Sequence, residues 1–79
     1  MNSEQIKKWV DENLLTKQEA MEVTQQSLTS FNQSIEAGRL VPFYDHGVDR
    51  SRVRLYLKSD VEAYAKQVAE RRKNLKKNN

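Results

Sequence analysis

Cysteine is absent from the chain, and histidine occurs once, as His46. These gaps exclude a disulfide framework, a thiol nucleophile and every cysteine-based zinc site. A zinc site on one imidazole would have to rely on carboxylates, so no metal and no cofactor are expected. Glycine occurs twice and proline once, which leaves no Gly-rich phosphate loop and no Pro/Gly linker. No run approaches the roughly 20 apolar residues of a membrane helix. The start Met1-Asn2-Ser3-Glu4-Gln5 has neither the basic region nor the apolar core of a secretory signal. A cytoplasmic, bacterial protein without membrane contact is therefore expected. No Ser/His/Asp set is present, and nothing converges on Asp45 and Asp49, so the chain does not read as an enzyme.

What remains is 79 residues, 37% hydrophobic and 32% charged. That amounts to one small domain, 1–79, with a limited core. The formal net charge is +3, unevenly spread. Residues 1–38 carry three cations, Lys7, Lys8 and Lys17, against six anions. Residues 39–79 carry eleven cations against five anions. An acidic front and a basic back point to a face or tail that meets a polyanion, with a solubilising surface as the alternative.

Helical spacing of Ile6, Trp9, Val10 and Leu14 predicts an accessory amphipathic helix over 3–13, capped by Asn2 or Ser3 and laid over the core. Thr16-Lys17-Gln18-Glu19 is a capping box and opens a helix over 17–24. Gln25-Gln26 reads as a turn. Ser27 caps a third helix over 28–37, with Leu28, Phe31 and Ile35 as its apolar face and Gly38 as its stop. The period then switches to two. Val41–Tyr44 is the first expected strand and Arg52–Lys58 the second, joined by a loop of turn formers. Alternation puts Val53, Leu55 and Leu57 on one face and Arg52, Arg54, Tyr56 and Lys58 on the other. Ser59-Asp60-Val61-Glu62 is a further capping box. It starts a closing helix whose seam is Val61, Tyr64, Ala65 and Val68. Residues 70–79 form a basic tail in which Leu75 is the one apolar residue, and fraying is expected there.

Helix, helix, turn, helix, hairpin, helix is the order of a winged helix-turn-helix: mostly α, with a small β-hairpin. Certain residues also carry a resemblance: Leu15-Thr16-Lys17-Gln18-Glu19-Ala20, then Ser27, Phe31, Ile35, Gly38-Arg39-Leu40, and Asp60-Val61-Glu62-Ala63-Tyr64. Over about residues 14–68 the chain resembles the small DNA-binding domain of the MerR superfamily, its excisionase-like branch most of all. Ile35-Glu36-Ala37-Gly38-Arg39-Leu40 is the most specific piece. Two positions depart from that pattern. Gln25 stands where the turn usually has glycine, and Gln26 stands where an apolar residue is common.

The resemblance makes Leu28–Ala37 the recognition helix. Ser27, Leu28, Thr29, Ser30, Asn32 and Gln33 fall at or near its DNA-facing positions. Asn and Gln suit adenine, and Ser and Thr suit bases or phosphates. The wing would carry Arg39, Arg50, Arg52, Arg54 and Lys58. Arg71, Arg72 and Lys73 in the tail would add phosphate contacts. The recognition helix has no Lys or Arg, so wing and tail must supply most of the affinity. The implied role is a recombination directionality factor or a transcriptional regulator on double-stranded DNA. Self-association on DNA and a recombinase or other protein partner are further expectations. The sensing domain of full regulators is missing from these residues, so no small-molecule effector is expected. The competing reading is a protein-interaction adapter, or a phage packaging or replication subunit, that retains the fold. Exposed Leu28 and the cation-free helix favour it.

Overall fold

Local capping sets most of the element boundaries. Asn2 Oδ1 accepts from the Gln5 amide at 2.9 Å, and Gln5 Oε1 accepts from the Asn2 amide at 3.0 Å. Thr16 Oγ1 accepts from the Glu19 amide at 3.2 Å, and Glu19 Oε1 accepts from the Thr16 amide at 3.0 Å. Each reciprocal pair occupies amide donors that a helix start leaves free. The Thr16 amide bond holds the Glu19 carboxyl below its ordinary range. Ser27 Oγ accepts from the Ser30 amide at 3.1 Å and starts the next helix the same way.

The computed structural model describes residues 1–77, with side chains through Asn74. Its elements are α1 Ser3–Asn13, β1 Leu14–Leu15, α2 Lys17–Thr24, α3 Leu28–Glu36, β2 Tyr44–His46, β3 Val53–Leu57 and α4 Lys58–Lys77. The chain is mostly helical, with a small antiparallel sheet in the order β1-β3-β2. β1, absent from the sequence reading, pairs Leu14 with Leu57 and Leu15 with Tyr56. A two-residue strand has no periodicity to read; it exists because β3 offers it a ladder.

Both helix-ending turns have one geometry. Gln25 is left-handed, with φ 55°, the Gln25 amide bonds to Glu22 O, and the Gln26 amide reaches Met21 O. Gly38 has φ 73°, its amide bonds to Ile35 O, and the Arg39 amide reaches Ser34 O. This is the Schellman arrangement, which satisfies the last carbonyls of a helix.

The core gathers Ala20, Phe31, Leu40, Tyr56, Val61, Tyr64 and Val68. Phe31 and Tyr56 meet edge to face, 5.3 Å between centroids. Fully burying one such side chain contributes about 1.5–3 kcal/mol. The α4 seam matches the expected Val61, Tyr64, Ala65 and Val68, with Ala65 half-buried.

Several expectations are corrected. The first hairpin strand is Tyr44–His46, not Val41–Tyr44. Pro42 has no amide to donate, and Phe43 is the first residue here to bond across, to Leu55 O at 2.9 Å. On β3 the faces are mixed. Tyr56 is buried, whereas Val53 is 49% exposed, and Leu55 and Leu57 are half-buried. The face carrying Arg52, Arg54 and Tyr56 turns toward the helices at its Tyr56 end. α1 has the expected limits, but among the described residues none of its own is buried. Ile6 and Trp9 remain exposed, and the Trp9 ring lies 5.9 Å from the exposed Phe43 ring. α4 follows β3 directly at Lys58, so Ser59 lies inside its first turn instead of capping it. The helix then continues through the basic segment to Lys77, where a frayed tail was expected from residue 70. The reading of Leu75 concerns a side chain outside the described ones, and Asn78 and Asn79 lie outside the described residues. No described helix is long and apolar enough to cross a membrane.

Candidate nucleic-acid interface

Helix α3 presents Leu28, Thr29, Gln33 and Glu36 to solvent, while Phe31 and Ser34 are buried beneath. Asn32 is half-buried. Ser27 is committed to capping, and Ser30 to bonds on the inner side. Gln26 Nε2 donates to Ser30 Oγ and to Ser34 Oγ, both at 3.1 Å. Ser34 Oγ also donates to Ser30 O at 3.2 Å and shares a 2.7 Å hydrogen bond with Tyr64 OH. This ladder ties the turn, α3 and α4 together. Gln26 is thus a polar plug whose Oε1 is buried without a partner. Sequence reasoning missed this role, because the spacing of Gln26, Ser30 and Ser34 becomes a contact only once the turn closes.

The hairpin supplies a second group. Asp45 lies opposite Arg54 in the β2–β3 register. Arg52 Nε donates to Asp45 Oδ1 at 2.8 Å and Arg52 Nη2 to Oδ2 at 2.7 Å. Arg54 Nε stands 3.5 Å from the same Oδ2. The Arg52 hydrogen bonds, and then the charges of Arg52 and Arg54, hold the Asp45 carboxyl down at about 2. The same pairing raises Arg52. Burial pushes the Tyr56 phenol up, against the pull of the Arg54 guanidinium. At the tip, Gly47 has φ 90°, and a Cβ there would lie 2.6 Å from Ser51 O, so the loop closes only around glycine. Arg50 sits in the short 3-10 turn Asp49–Ser51. Asp45 was legible as a turn residue, but its pairing needed the register.

The third group lies where the apolar seam of α4 ends. Arg71 follows Tyr64 at i+7 on the same helix face. Burial raises the Tyr64 phenol, but the Ser34 hydrogen bond and the Arg71 and Arg39 guanidiniums outweigh it, and the net shift is downward. Arg72 Nη2 donates to Gln25 O, the carbonyl of the left-handed turn residue. Arg39 and Tyr64 share an open hollow of about 260 Å³ with Asp60 and Gln67. Among the described residues no three His, Asp or Glu side chains are grouped to hold a metal.

The proposed contact residues thus fall into clusters. Thr29 and Gln33 occupy the open face of α3. Arg52 and Arg54 share one carboxylate. Arg39, Arg71 and Arg72 border the α2–α3 unit. Lys58 and Lys73 are exposed at the start and toward the end of α4. No family model, curated protein or solved structure matches this chain.

Proposed function

We propose that this protein is a small winged helix-turn-helix DNA-binding protein of the MerR or excisionase-like type. It would act as a recombination directionality factor or a transcriptional regulator. One observation carries the reading: Thr29 and Gln33 are exposed on α3, while Arg72 from α4 donates to the turn before α3 and Arg71 stands by the Tyr64 phenol that bonds Ser34. α3 is nine residues long, about 13 Å at 1.5 Å per residue, which suits a major groove about 12 Å wide. Thr29 and Gln33, with Asn32 beside them, would meet bases. Arg50, Arg52 and Arg54 on the wing and Arg39, Arg71 and Arg72 around the turn would meet phosphates, which position the protein without reading sequence.

The test is selection from random duplexes at about 50 and 200 mM salt, a range over which phosphate-driven affinity falls steeply. An enriched motif that survives the higher salt is expected. Gln33→Ala should change which sequences win. Arg50→Ala should weaken all sequences alike and reduce the salt slope by about 1. A second reading, a protein-interaction adapter, draws on the exposure of Ile6, Trp9, Leu28 and Phe43. Weak, motif-free binding that vanishes at the higher salt would favour it.

A further inference from the structure

The wing arginines already hold an anion. Arg52 grips both oxygens of Asp45 in the parallel fork by which guanidinium also grips phosphate. Arg54 approaches the same carboxylate, yet its Nε is buried and without a hydrogen-bond partner. One carboxylate therefore serves two guanidiniums and leaves one of them under-satisfied. Two successive backbone phosphates, met through the exposed 44% of Arg52 and 30% of Arg54, would relieve the shared carboxylate. The pair is also open to exchange: the Arg52 and Asp45 side chains are 44% and 36% exposed. Exposed pairs of this kind hold weakly.

We propose that Asp45 is an internal stand-in for a backbone phosphate, aligning Arg52 and Arg54 and giving way to DNA when the wing docks. This rests on the nucleic-acid reading above and extends it to a residue of opposite charge. The carboxylate holds both guanidiniums at one place on the hairpin, so less side-chain freedom is lost on docking. It also competes with every phosphate equally. Affinity for all duplexes is lowered together, and the discrimination made by α3 is left intact.

The experiment measures duplex affinity against salt for the wild type, Asp45→Asn, Asp45→Glu, and the Arg52→Ala/Arg54→Ala double variant with and without Asp45→Asn. Far-UV circular dichroism checks that each is folded. Asp45→Asn should bind about 1.5- to five-fold tighter at about 100 mM salt, given the strength of exposed ion pairs. Its slope of log affinity against log salt should steepen by about 1, as one more phosphate is neutralised. Asp45→Glu, which keeps the charge, should stay near wild type. The gain should disappear when both arginines are removed. Weaker or unchanged binding by Asp45→Asn overturns the proposal, as does an equal gain without the arginines, which would mean simple removal of a negative charge. Wild-type binding by itself decides the nucleic-acid reading: if neither the wild type nor Asp45→Asn binds duplex at low salt, both fail together.

Discussion

Gln25 holds a backbone conformation that favours glycine. Its φ of 55° and ψ of 42° are left-handed, which strains a residue with a Cβ. What the turn uses is backbone: the Gln25 amide goes to Glu22 O, and its carbonyl receives Arg72. Gln25→Gly keeps both and relieves the strain, partly offset by a freer unfolded chain. A gain of about 0.5–1 kcal/mol is expected, read as a rise in Tm of about 2–8 °C. At Asp45 the prediction concerns pH. Its folded pKa of about 2 lies below the ordinary aspartate value of 3.8. A depressed carboxyl pKa gives stability that is present above the unfolded value and lost as pH falls through the folded one. The Tm advantage of wild type over Asp45→Asn should be constant near neutrality and shrink from pH about 4 down to about 2. An advantage that grows over that window would contradict the Arg52 pairing.

At the scale of elements, caps and stops were legible because they are local. Asn2, Thr16, Ser27 and Gly38 each act within a few residues of themselves, and the helices begin and end where they direct. β3 was read less well. Its alternation is nearly symmetric, with Val53, Leu55 and Leu57 against Arg52, Arg54, Tyr56 and Lys58. Either face has apolar content, and the choice fell to Phe31, whose ring packs on Tyr56. α1 shows the opposite error. Its amphipathic pattern is real, but a pattern says that a face is apolar and not that something covers it. Removing residues 1–13 should therefore leave a cooperative urea transition, with helical signal lost roughly in proportion to the segment. Loss of that transition would show that α1 supports the core more than its exposure indicates.

The whole molecule is longer than a sphere of its size. Its radius of gyration is 14.5 Å, against about 12 Å for a compact chain of this length. Much of the excess comes from the 20-residue α4, about 30 Å long. That length takes the basic residues past the apolar seam and brings Arg72 back to the α2–α3 turn. The basic half of the chain is thus folded around the helix pair. The limits of α1, α2 and α3, the α4 seam and the uneven charge were determined by sequence alone, since each depends on neighbours a turn or two away. The tertiary structure decided that Tyr56 faces inward, that Leu14 and Leu15 form a strand, that Gln26 plugs the ladder beneath α3, and that Asp45 holds the hairpin arginines. Each of these depends on bringing together residues from different elements, and local periodicity carries no information about which partner will be there.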